Sequence, residues 1–236
     1  MKIFRKLHSR KKTDNLLGRR SEIIDFLADV VVIFAIVLLV VKPFFLAPFR
    51  VQQESMFPNV LDGEYILVWK APYKFGWKDY KRNDVVVFRP KIKSDVYLIK
   101  RVIGLPGETL QFYDGMISVK RPGETELRKL DDSFLFPGNL NNTCLSNVCS
   151  TKNKAEKIEI FVPKDKYFVV GDNRLYSRDS RTCFASYCSN DADRFLASSD
   201  IEGKAFFVFA RMWSENSKKH FSFSTVRFLR HPEVAK

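Results

Sequence analysis

The chain has 236 residues, 45% of them hydrophobic and 28% charged, and 40 basic against 27 acidic side chains leave a formal net charge of +13. That length supports one sizeable globular domain plus accessory segments. The charge is uneven: Lys2, Arg5, Lys6, Arg10, Lys11, Lys12, Arg19 and Arg20 face Asp14 alone in the first twenty residues. Such a block can bind nucleic acid, but its place beside an apolar run points to a membrane instead, and no nucleic-acid partner is expected.

The run extends from Ile23 to Val41, interrupted only by Asp25 and Asp29. As a helix it would span roughly 28 Å, close to the about 30 Å of a bilayer core. Val30 to Val41 alone is short enough for the apolar part of a cleavable signal peptide. The residues that follow, Lys42-Pro43-Phe44-Phe45-Leu46-Ala47-Pro48, offer no Ala-x-Ala cleavage site. The expectation is an uncleaved anchor over residues 23–42. The basic tail, 1–22, would stay in the cytoplasm and residues 43–236 would be exported.

Beyond the anchor the strand signals are short and frequent. Tyr65–Trp69, Asp84–Phe88, Val96–Ile103, Lys166–Val170 and Ala205–Phe209 are β-branched or aromatic runs, mostly with Gly, Pro, Asn or Asp close by. No long amphipathic helix pattern follows Lys42. The expected fold is mostly β, rolled into barrel-like sheets, with a polar cap-like insertion over 115–163 and a basic C-terminal tail over 214–236. Between Trp69 and Tyr80 aromatics alternate with lysines. This suits a lip in the membrane interface or a loop packed on its own core, and less well a stacking surface for nucleic acid.

Four cysteines form two C-x4-C pairs, Cys144 with Cys149 and Cys183 with Cys188. In an exported domain two local disulfides are the simplest pairing, although four cysteines also permit other pairings or one zinc site. No cofactor is expected.

The stretch Val96-Tyr97-Leu98-Ile99-Lys100-Arg101-Val102-Ile103 sets an ammonium in a strand, on the face of Val96, Leu98 and Val102. An amine in such a row is costly unless paired or neutral, and a neutral lysine is a general base. The bland alternative is a lysine guarding a sheet edge. None of the three histidines, His8, His220 and His231, stands where a catalytic triad needs one, which favours the lysine. Ser55, just past the anchor in Gln52-Gln53-Glu54-Ser55-Met56-Phe57-Pro58, is the candidate nucleophile. The cluster Gly171-Asp172-Asn173-Arg174-Leu175-Tyr176-Ser177-Arg178-Asp179-Ser180-Arg181 follows a strand and has the composition of a supporting loop.

Together these blocks resemble a type I (leader) signal peptidase, a membrane-bound bacterial Ser-Lys protease. The matches are Ser55-Met56-x-Pro58, Arg82-Asn83-Asp84-Val85-Val86-Val87-Phe88, Lys100 to Glu108, and Gly171-Asp172-Asn173-Arg174 with Ser177-x-Asp179-Ser180-Arg181. The resemblance implies that Ser55 attacks the scissile carbonyl, Lys100 is the base, and Ser177 with Asp179 orients the amine. It implies ion pairs Arg101–Asp172 and Arg181–Asp179, and an oxyanion donor in the Ser55 backbone N–H. Phe49, Val51, Met56, Leu98 and Ile99 would line the groove that admits small residues of a signal peptide. The implied partners are exported preproteins, the lipid bilayer of the inner membrane and the secretion machinery. A silent anchored β-domain that binds such peptides without cutting is the alternative. The chain departs from the family pattern in two places. Gln53 stands where a second oxyanion hydroxyl is usual, and Leu175-Tyr176 replaces an Asp-Asn pair.

Overall fold

The computed structural model describes residues 23–41, 45–76, 79–91, 95–145, 149–185, 188–215, 218–223 and 226–229. The expected tail over 1–22, Lys42, Trp77, Lys78 and the chain end after 229 lie outside the described residues. The chain divides into Met1–Phe45 and Leu46–Lys236.

In the first unit residues 23–36 are α-helical, and Val37–Val41 continue as a π-helical segment. Ile23, Phe26, Val31, Phe34 and Leu39 are all exposed, so the apolar surface runs around the helix instead of along one stripe. Among the described residues, no helix is long and apolar enough to cross a membrane.

The second unit is mostly β. In chain order its strands are β1 (Leu46–Arg50), β2 (Glu64–Trp69), β3 (Val85–Phe88), β4 (Leu98–Gly104), β5 (Thr109–Tyr113), β6 (Met116–Lys120), β7 (Arg128–Lys129), β8 (Ile158–Phe161), β9 (Lys166–Val170), β10 (Leu196–Ala197), β11 (Ile201–Glu215), β12 (Lys218–Ser222) and β13 (Arg227–Phe228). The main sheet runs β1-β2-β11-β3-β4-β9-β10, with β12 and β13 also pairing with β11. Among the described residues its two ends, β1 and β10, do not pair, so the expected barrel is an open half-barrel. β11 supplies the bend. Its register shifts twice against β2 and once against β3, and each bulge adds local twist. Gly203 lies at the shift against β3, where a Cβ would sit 2.4 Å from the Trp69 carbonyl oxygen.

The second sheet, β7-β6-β5-β8, overlaps the span expected as a polar insertion, and its strands run from Thr109 to Phe161. Its apolar face, with Leu110, Phe112, Ile117 and Val119, packs with Ile103, Phe168 and Val170 of the main sheet. Disulfides join Cys144 to Cys149 and Cys183 to Cys188. In the aromatic loop, Tyr73 stacks on Tyr80 at 4.3 Å and Tyr80 meets Tyr167 edge-on. Those rings pack on the protein's own core, while Trp69 and Phe75 stay exposed.

β13 holds one buried charge. Glu64 is fully buried at the start of β2, and both its oxygens accept from the Arg227 guanidinium at 2.7 and 2.8 Å. Removing the arginine would leave a carboxylate out of water, held among the described residues by the Leu61 N–H at 2.9 Å. Because the guanidinium is itself partly solvated, Arg227→Ala should cost about 1–3 kcal/mol, below the range of a fully buried pair. Urea unfolding of the two proteins measures this, and an unchanged midpoint would contradict it.

Candidate active site

β4 lies between β3 and β9 in the main sheet, and this places Lys100 inside the protein with Val86 opposite it. The side chain is 3% exposed. Its Nζ lies 2.7 Å from Ser55 Oγ and donates to the Ile99 carbonyl oxygen at 2.8 Å. Burial pushes the amine down from 10.5 to about 8. The nearby carboxylates of Asp179 and Asp172 work against that shift, and the Arg181 charge works with it. A neutral amine at this distance can accept the proton of a serine hydroxyl.

Ser55 sits in the turn between β1 and β2. Two contacts from the Asn173 side hold that turn: its backbone N–H donates to the Ser55 carbonyl at 3.0 Å, and its side-chain amide donates to the Glu54 carbonyl at 3.1 Å. The turn's own bonds, Phe57 N–H to Glu54 and Val60 N–H to Met56, do not use the Ser55 N–H. Gln53, just before, has φ of +79°, in the left-handed region. For a side chain other than glycine that geometry costs on the order of 1–3 kcal/mol. The Asp62 carboxylate accepts the Gln53 N–H at 2.8 Å and offsets part of that cost. The Gln53 backbone amide is thus engaged, while its side chain is exposed at the groove.

The loop after β9 carries two buried ion pairs. Arg101 grips Asp172 through Nε and Nη2 at 2.7 and 2.6 Å. Arg181 holds Asp179 through the same two nitrogens, both at 2.9 Å. Asp179 also accepts the Gly171 N–H at 3.0 Å. Burial alone would raise the Asp179 carboxyl, but the Arg181 charge and hydrogen bonds outweigh it and hold it below 3.8. Ser177 is buried beside Gly171, where a Cβ would sit 2.2 Å from its Oγ. Its hydroxyl helps keep Asp179 ionised, yet it makes no hydrogen bond of good geometry. The expected bond from Ser177 to Lys100 is therefore not formed here, where Ser55 and Ile99 take the amine.

A groove of about 380 Å³ opens at Ser55 and Lys100, between the segment 49–53 and the segment 95–100. Phe49, Val51, Leu98 and Ile99 line it, with Ile66 and Val87 as further apolar wall. Met56 does not. It is fully buried in the core with Val51, Ile66 and Val87, because the turn that presents Ser55 drives the next side chain inward. Ile66 and Val87 supply wall that the motifs did not indicate, although strand alternation around Val85 and Val87 contains that signal.

Several supporting residues have no local sequence signal. Asn59 donates to Asp172 at 2.9 Å and to the Phe134 carbonyl at 3.1 Å. Arg101 reaches the Asn83 carbonyl at 2.9 Å and lies 4.5 Å from the Phe134 ring centre. The buried Arg174 pairs with Asp132 at 3.0 Å and bonds Thr143, tying the insertion to the loop. The described histidine, His220, stacks on Trp213 in β11. Among the described residues, no group of His, Cys, Asp and Glu is placed to hold a metal ion.

A buried amine against a serine hydroxyl, at the end of an apolar groove bordered by an edge strand, is the arrangement of a serine hydrolase that works without imidazole. Comparisons with known proteins bear on the family. The model of the signal peptidase family, peptidase S26, matches residues 23–213. Signal peptidase I P of Bacillus subtilis subsp. natto is 31% identical over 83% of this chain and 93% of that protein. Signal peptidase I V of Bacillus subtilis (strain 168) is 38% identical over 66% of this chain and 86% of its own. Signal peptidase IB of Staphylococcus aureus (strain COL) is 31% identical over 85% and 95%. A solved signal peptidase I from Enterococcus faecalis V583 aligns at 26% identity over 54% of this chain and 97% of that one, with a TM-score of 0.38. The chain belongs to the signal peptidase family, peptidase S26.

The close approach at Gly171 gives a test of this geometry. A methyl group there would meet Ser177 Oγ and, at 2.5 Å, the Ser55 carbonyl oxygen. Gly171→Ala should lower peptidase turnover by about 10²-fold or more through misplacement of the hydroxyl. The circular dichroism spectrum should stay that of the parent. Full activity would show that the turn at Ser55 is not held against Gly171.

Proposed function

We propose that Ser55 is the nucleophile and Lys100 the general base of a signal peptidase I reaction that removes signal peptides from exported preproteins. The observation that carries this is the 2.7 Å contact between a buried amine and a serine hydroxyl at the end of the groove. In the neutral state of the amine the hydroxyl becomes the donor, and Nζ takes its proton as Oγ attacks the scissile carbonyl. The Ser55 N–H, left out of the turn's bonds, is the oxyanion donor, and the exposed Gln53 amide is a second candidate. The signal peptide lies extended in the groove along β1, which among the described residues has a partner on one side only, and adds itself as a strand. The apolar wall of Val51, Ile66, Val87 and Ile99 favours small side chains of the Ala-x-Ala kind. Asp172 and Asp179, each neutralised by a guanidinium, hold the loop without restoring charge to Lys100, and Ser177 is available to take the amine once Ser55 is acylated.

The same proposal places residues 23–42 as a membrane anchor, with the basic tail in the cytoplasm and 43–236 on the exported face of the bacterial inner membrane. Its support is an apolar helix exposed all round. The bilayer and the secretion machinery would then be neighbours of the domain. Nothing in the family match favours the silent binding domain.

Purified protein in detergent tests the dyad on a preprotein substrate. Ser55→Ala and Lys100→Ala should each lose cleavage by at least about 10³-fold, and equal cleavage by all three proteins would sink the mechanism. Lys100→Met should lose activity likewise yet raise Tm by a few degrees, because an apolar side chain replaces a buried amine.

The pH dependence follows from the amine. The neutral form is the base, so kcat/KM should rise about tenfold per unit toward pH 8 and level off above it. A profile that is flat between pH 6 and 9 would exclude Lys100 as the titrating base.

A further inference from the structure

A second cleft, of about 390 Å³, lies against the turn on which Ser55 stands. It shares no lining residue with the first groove, and the two abut where Glu54 of one meets Ser55 of the other. Phe57 and Phe136 form its aromatic wall, edge to face with centroids 5.5 Å apart. Leu175 and Tyr176 also line it, and Tyr176 is 79% exposed. Glu54 supplies a carboxylate, and among the described residues no lysine or arginine lines the cleft.

Resting on the proposed Ser55–Lys100 reading, we infer that this cleft binds the mature side of the preprotein. It takes the side chain of the first or second residue after the cut. An extended chain whose scissile carbonyl sits at Ser55 Oγ has its signal-peptide side in the first groove. Its next residues, at about 3.3 Å each, must cross the Glu54–Ser55 turn. Asn173 fixes both carbonyls of that turn and itself lines the cleft, so the exit path and the attacking serine are one rigid unit.

The lining sets the preference. Three aromatic rings and Leu175 reward a large apolar side chain, and edge-to-face contact adds to its burial. A carboxylate entering the cleft would lose water, meet no cation and face Glu54. Leu175 and Tyr176 supply the apolar rim on which that selectivity depends. Loss of the apolar rim should therefore change which mature sequences are processed fastest.

Peptides with Ala-x-Ala before the cut and Ala, Phe or Asp in each of the first two positions after it test this. Wild type should cut the better Phe peptide about tenfold faster in kcat/KM than its Asp counterpart. The double variant Leu175→Ser/Tyr176→Ser should bring that ratio below about threefold, and Glu54→Gln should narrow it by raising the Asp rate. Both rim residues are exposed on the loop surface, so the double variant should keep the parent's circular dichroism, and Tyr176→Ser alone serves if it does not. A ratio near one in wild type, or a wild-type ratio kept in the rim variants, would overturn the inference while leaving the dyad intact. Failure of wild type to cut even the Ala peptide would overturn the dyad reading, and this inference with it.

Discussion

Holding a lysine amine out of water while leaving it against a hydroxyl is the constraint on which the rest of the structure depends. An ammonium in that position costs several kcal/mol, so the amine gives up part of its affinity for a proton. That depression would be lost if a bare carboxylate stood nearby, because the lysine would then simply recharge. Asp172 and Asp179 are both near enough to pull in that direction. Each is answered by its own guanidinium, Arg101 and Arg181, in a two-point grip. The loop is charged in composition and nearly neutral in effect.

The same ion pairs explain why the polar insertion is part of the site's support. Arg101 is sandwiched between Asp172 and the Phe134 ring, and Arg174 runs from the loop to Asp132 and Thr143. These arginines are almost fully buried, and a buried guanidinium requires acceptors on several sides at once. The main sheet alone does not supply them. For Arg174 they come from Asp132 and Thr143, in the segment between β7 and β8, and the sheet that carries this segment is anchored through the apolar contact of Leu110, Phe112 and Ile117 with Ile103 and Phe168. Packing at one end of β4 thus fixes the electrostatics around the middle of the strand.

Ser55 lies on a turn held from outside itself. Gln53 adopts a left-handed conformation that Asp62 helps to fix, and Asn173 bonds to the two carbonyls that follow. The hydroxyl is therefore set by contacts from two distant parts of the chain. The same arrangement leaves clefts on both sides of the turn, one apolar and walled by strands, the other rimmed by aromatics and one carboxylate.

The strands were readable from local chemistry. Lys166–Val170 has the expected bounds, and Tyr65–Trp69 and Asp84–Phe88 differ by a single residue, because β-branched and aromatic runs between turn residues leave little else for the backbone to do. The motifs around Ser55, Lys100 and the loop after β9 were readable as candidates because they are contiguous, and the fold brings Ser55 Oγ to 2.7 Å from the Lys100 amine. Met56 was misplaced as groove wall because a motif says nothing of which way a turn sends its neighbours. Asn59, Phe134, Asp132 and Thr143 left no trace in the sequence. Their partners are 31 to 113 residues away, and only the closure of the two sheets brings them together. Residue types and spacing are local properties, and they were enough to name the chemistry and its family. The depth of the amine, the neutralisation of the loop and the second cleft are properties of distance between remote segments, and folding alone decided them.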